Sequence, residues 1–184
     1  MAAALFAFIA AALAGIGARD QMLVAGLVAR QGRRWPILLV ALTTAMLSSA
    51  AVILAARVIG GELNNRAGML LAALALALAA LELALVQPRR APQEPTHSLG
   101  AAGLVLLVMQ ITDATRFLIF AIAIATEAPR TAGLGGMAAS LVVIMIGWLG
   151  GADLLALPIR PVRRVLAAVL MLVAVWLVWQ VVMP

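Results

Sequence analysis

The chain has 184 residues, of which 66% are apolar and only 11% charged, and its mean hydropathy is +1.15. Soluble domains run about 45–50% apolar and about 25% charged, so this chain has too little charge to cover a water-soluble particle, and the lipid bilayer is its expected partner. The thirteen basic residues give a net charge of +6 without the dense basic block that nucleic-acid binding requires, and the absence of cysteine excludes disulfides and thiolate metal sites.

A membrane-spanning helix needs about 20 apolar residues. The chain therefore has room for roughly six spans in one membrane domain. Residues 1–29 are apolar except for Arg19 and Asp20 and predict the first span. Ala12-Leu13-Ala14 looks like a signal cleavage site, but no basic region precedes it and the apolar run resumes after Asp20, so the segment is expected to remain. Residues 35–56 carry no charge and predict the second span; 67–87 contain only Glu82 and predict the third. A polar, proline-broken connector at 88–97 separates these from residues 99–126, interrupted by Asp113 and Arg116, and from the uncharged stretches 131–152 and 165–183.

The turns after the odd-numbered spans hold Arg30, Arg33, Arg34, Arg89, Arg90, Arg160, Arg163 and Arg164. Those after the even-numbered spans hold Arg57, Arg66 and Arg130. The positive-inside rule then predicts a multi-pass protein with both termini outside the cytoplasm, in a bacterium the inner membrane.

Residues 15–21 read Gly-Ile-Gly-Ala-Arg-Asp-Gln and residues 110–116 read Gln-Ile-Thr-Asp-Ala-Thr-Arg, 95 positions apart. Each is followed by an apolar half-helix, a polar turn and a helix ending in a glycine pair, Gly60-Gly61 and Gly150-Gly151. The expected fold is all-α and integral to the membrane: six transmembrane helices as two three-helix repeats, 1–87 and 98–184. Three is odd, so the second repeat enters from the opposite side and is inverted, an architecture of secondary transporters.

Arg19, Asp20, Asp113 and Arg116 fall inside spans, where an uncompensated charge costs about 2.5–3.5 kcal/mol. They are expected to face the interior and to pair across the repeats, Arg19 with Asp113 and Asp20 with Arg116. One reading is a polar site at mid-membrane, with Asp113 as principal acid, Asp20 as its partner, and Gln21, Gln110, Thr112 and Thr115 as neutral oxygens. The other is a set of salt bridges fixing how two halves pack. Ser48, Ser49, Thr43, Thr44 and Ser140 are expected to bond the preceding helical turn, or to complete the site. Glu82 reads as reaching interfacial water or Arg89, or as a proton relay. His97 and Asp153 read as solvated or interfacial, and Trp176 and Trp179 as an aromatic belt.

At its two polar segments, and in the run of Gln21, the basic turn and Trp35-Pro36, the chain resembles the cation/proton exchanger family of Golgi manganese and calcium exchangers and bacterial manganese exporters. That family carries Glu-x-Gly-Asp-Lys-Thr/Ser once in each half. Gly17 matches the first copy's glycine, while Gly15, Ala18, Arg19 and Asp20 replace its other residues. Asp113 and Thr115 match the second copy, where Gln110, Thr112 and Ala114 are replacements. The resemblance implies proton-coupled Mn2+ or Ca2+ exchange without a resident cofactor, the metal held by Asp113 and Asp20. Hard divalent ions need several oxygen ligands, and only Asp113 remains of four signature acids. Arginines that neutralise the acids favour an anionic or zwitterionic organic solute instead. A non-transporting structural or regulatory homologue, as a homodimer, is the third reading. No nucleophile with its base and no phosphate-cradling loop points to an enzyme.

Overall fold

In lipid a backbone N–H or C=O finds no water, so apolar runs fold into helices that satisfy their own hydrogen bonds. A computed structural model describes residues 1–86 and 98–183 and contains α1 (Ala2–Gly15), α2 (Arg19–Gln31), α3 (Trp35–Glu62), α4 (Asn65–Leu85), α5 (Leu99–Ile111), α6 (Ala114–Ala125), α7 (Pro129–Leu155) and α8 (Arg160–Val182). Local chemistry sets several of the starts. Prolines open α3, α7 and α8, where a missing N–H costs nothing. The Asn64 side chain accepts from the Ala67 N–H to cap α4, and Ser98 does the same for Ala101 in α5.

The protein is all-helical over the described residues, and α3, α4, α7 and α8 are each long and apolar enough to cross a membrane. The pairs α1–α2 and α5–α6 reach that length only together and bend by 53° and 47°. Lengths of 14, 13, 28 and 21 residues in α1–α4 are followed by 13, 12, 27 and 23 in α5–α8. Each broken pair packs against the long helix from the other half of the chain, α1 and α2 on α7, α5 and α6 on α3. The long helices α3 and α7 also pack on each other, and α4 lies between α6 and α8.

Small residues permit these approaches, as expected where lipid gives apolar contact no advantage. In α1 the stripe Ala3, Ala7, Ala11 and Ala14 is buried at helical spacing. Against this helix a Cβ built on Gly135 would lie 2.1 Å from the Ala4 carbonyl oxygen.

Several arginines assigned to turns by hydropathy lie in helices, among them Arg57 in α3, Arg66 in α4, Arg130 in α7 and Arg163 in α8. Backbone hydrogen bonding continues past the end of an apolar window, so helices overrun it. Asp153 likewise belongs to α7, just beyond a kink at Gly151, whose φ is 48°. Arg89, Arg90, His97 and the connector at 88–97 fall outside the described residues.

Candidate functional site

The two breaks place the chain's polar residues at the centre of the bundle. At the first, Gly17 takes a φ of 72° and Ala18 is extended, so α1 ends and α2 starts in a new direction. The Gly17 N–H donates to Gln21 Oε1 at 2.7 Å, and its carbonyl accepts from Arg163 at 3.1 Å. At the second break Asp113 is the extended residue, and its side chain caps α6 by accepting from the Thr115 N–H at 3.2 Å.

A buried chain of hydrogen bonds joins both breaks to the long helices. Arg116 donates to Ser48 through Nε and Nη2, at 3.0 and 2.8 Å, and to Ser140 at 2.8 Å. Ser48 lies 3.2 Å from Gln110 Oε1, and the Gln110 amide donates to Asp20 Oδ2 at 3.3 Å. The other Asp20 oxygen accepts from the Gln21 N–H at 2.7 Å, and the Gln21 amide donates to the Val143 carbonyl at 3.1 Å. Ser48 and Ser140 stand near the middle of α3 and α7, which puts this layer at mid-span. All four of Thr43, Thr44, Ser48 and Ser140 bond the preceding turn of their helix, and the two serines receive Arg116 in addition.

A second layer lies near the end of α4 and the start of α8. Glu82 receives Arg163 at 3.0 Å on one carboxylate oxygen and has Arg19 at 3.3 Å from the other. Arg19 also reaches the second break, donating to the carbonyl and hydroxyl of Thr112 at 2.8 and 3.1 Å. Asp113 sits within electrostatic reach of Asp20, Glu82 and Arg116. Arg19, Arg116 and Arg163 are thus set against Asp20, Glu82 and Asp113, and formal charge balances.

All nine candidate side chains gather around the breaks, with partners that differ from those expected. Neither Arg19–Asp113 nor Asp20–Arg116 forms an ion pair among the described residues. Asp113 is turned onto its own helix as a cap, and Arg19, opening the tilted α2, is directed to Glu82. Glu82 is buried, with 7% exposure, and ion-paired rather than interfacial. Arg163 had been counted with a turn. Its signal was the small-residue stripe of α8: Ala174 and Ala167 are buried, and the same stripe continued backwards falls on Arg163.

No three His, Cys, Asp or Glu side chains lie together among the described residues as metal ligands would. A divalent cation would find two carboxylates next to a guanidinium, short of the six or more oxygens that Ca2+ takes. The space between Gly15, Asp20, Thr115, Arg116 and Ser140 has no room for a water molecule. Asp113 Oδ1 is buried without a hydrogen-bond partner. No family model matches the chain, and no curated protein or solved structure matches it.

Proposed function

We propose that this chain is a small secondary transporter of six spans, built as two inverted repeats, that carries a polar organic solute bearing a carboxylate or similar anionic group past the two helix breaks. The observation that carries this reading is Arg116, held at mid-span by two serine hydroxyls rather than by a carboxylate. A guanidinium is a planar fork suited to a carboxylate, and the N-terminal ends of α2 and α6 add two positive dipole ends at the same place. Exchange of Mn2+ or Ca2+ for protons, which the resemblance implies, suits this site less well, since Arg116 repels a cation.

The test is uptake of labelled carboxylate-bearing solutes into proteoliposomes containing a pH-sensitive dye. The expected result is saturable uptake in the unmodified protein and at least tenfold less in Arg116→Lys, which keeps the charge and loses the fork. Proton movement driven by Mn2+ or Ca2+, abolished by Asp113→Asn, would establish cation exchange instead. The second reading, a non-transporting membrane partner that is homodimeric, is favoured by the lack of room for water in the space that Asp20, Arg116 and Ser140 share. It predicts no flux of any of these cargoes.

A further inference from the structure

At the opposite end of α4 from Glu82, a half-enclosed cavity of about 420 Å³ opens between the end of α3, the start of α4 and the turn after α6. Its size is that of a pocket for a small organic molecule, about 300–1,000 Å³. Its walls carry one cation, Arg57, and one anion, Glu127, together with Asn64 and Asn65. The side chains of Arg57 and Glu127 form no ion pair with each other, and neither side chain makes a hydrogen bond with another described residue. The Asn65 side chain is likewise unbonded, whereas Asn64 is committed to capping α4.

Two backbone features argue that the cavity is built. Glu127 has a φ of 51°, in the left-handed region. It follows the last turn of α6, where its N–H donates to the Ile124 carbonyl at 3.2 Å and the Ala128 N–H donates to the Ala123 carbonyl at 3.2 Å. That double bond pattern is the helix ending in which glycine is the favoured residue. A glutamate there keeps a conformational strain that glycine would relieve, and in return places a carboxylate on the cavity wall. Beneath it, Gly60 lies close to Ile124, whose side chain a Cβ at that position would meet at 3.1 Å.

We propose that this cavity is a binding site for a small zwitterion, whose carboxylate engages Arg57 and whose ammonium engages Glu127. A lone anion would meet Glu127 unneutralised, and a lone cation would meet Arg57; a solute with both charges matches both. Such a solute also adds no net charge to the balanced interior beyond the cavity. As a statement of cargo class this rests on the transporter reading, but binding is measured without transport.

The experiment is saturable binding to the full chain in detergent, using glycine, β-alanine and γ-aminobutyrate as zwitterions of increasing charge separation, with acetate and methylammonium as single-charge probes. At least one zwitterion is expected to bind, and at least tenfold more tightly than either single-charge probe. Arg57→Met and Glu127→Gly should each weaken it tenfold or more, and Glu127→Gly should leave the unfolding temperature unchanged or raised. Gly61→Trp gives a second handle: a Cβ at Gly61 meets nothing within 4 Å, so the indole enters the cavity without disturbing the packing and should abolish binding. The proposal is overturned if no zwitterion binds saturably, if acetate or methylammonium binds equally well, or if Arg57→Met and Gly61→Trp bind as the unmodified protein does. Binding as expected with no uptake in proteoliposomes would refute the transporter reading and leave this site standing.

Discussion

At the α1–α2 break the chain turns through Gly17 in the left-handed region, and the freed carbonyl is taken by Arg163 from α8, far along the sequence. At the α5–α6 break no residue has a positive φ, and the turn is closed by its own side chain, Asp113 capping α6. Ala18, at the corresponding N-cap of α2, has no side chain to do this. The contrast is one of dependence. Both breaks have a local closing bond, Gly17 N–H to Gln21 at the first and Thr115 N–H to Asp113 at the second, but only at the first is the turn residue's own carbonyl taken by α8, through Arg163, which also holds Glu82 of α4.

The largest expected effect tests that dependence directly. Arg163→Met removes the partner of the Gly17 carbonyl and one of the two partners of Glu82, leaving Arg19. Breaking a buried ion pair by removing one member costs about 3–5 kcal/mol, and the lower end of that range is expected. Thermal unfolding in detergent, followed by tryptophan fluorescence, measures it. Adding Glu82→Gln should recover part of the loss, because the carboxylate left behind is then neutral. A loss below about 1 kcal/mol in Arg163→Met would show that the first break is as self-sufficient as the second.

Gly17→Ala is expected to follow. A Cβ there would meet Ile159 Cγ2 at 2.3 Å on a backbone with φ 72°. The left-handed conformation costs an alanine about 1–2 kcal/mol and the overpacking about 1–3 kcal/mol, so about 2–5 kcal/mol is predicted. At the matching position of the second break, Thr112→Ala removes only a hydroxyl that receives Arg19, while the carbonyl contact at 2.8 Å remains. Interhelical hydrogen bonds in membranes average about 0.6 kcal/mol, and a loss of that order is expected. Equal losses in Gly17→Ala and Thr112→Ala would erase the distinction between the breaks.

The same contrast explains how much was legible in the chain. α3, α4, α7 and α8 follow from uninterrupted apolar runs, because lipid enforces internal backbone bonding, and the charges at 19–20 and 113–116 mark where two other runs are interrupted. Gly15 and Gly17 signalled that the first could bend. Asp113 as an N-cap depends only on its neighbours. The partners of Arg19 and Arg163, by contrast, depend on a 53° bend and on which face of α8 meets α4, neither of which a local pattern contains. A long arginine chain spans several ångströms in any direction, so charge balance alone paired it with the wrong acids. Ser48 and Ser140 were visible as small polar residues, but their common role in holding Arg116 appears only when α3 and α7 cross.

Asp113→Asn should have the smallest effect on stability and the clearest effect on chemistry. Its capping bond uses one carboxylate oxygen, Oδ2, to accept from the Thr115 N–H. An asparagine carbonyl oxygen accepts equally well, and asparagine ranks with aspartate as an N-cap, so the unfolding free energy should change by less than about 0.5 kcal/mol. Asp113→Ala, which removes the cap, should lose about 1 kcal/mol. The asparagine variant nonetheless deprives the interior of one of its three carboxylates, Asp20, Glu82 and Asp113. With the fold intact, any loss of function in Asp113→Asn is a loss of the carboxylate itself and not of the cap. A destabilisation as large as that of Asp113→Ala would instead mean that the ionised carboxylate itself, facing Arg116, holds the second break, and the two breaks would then share a dependence on buried charge.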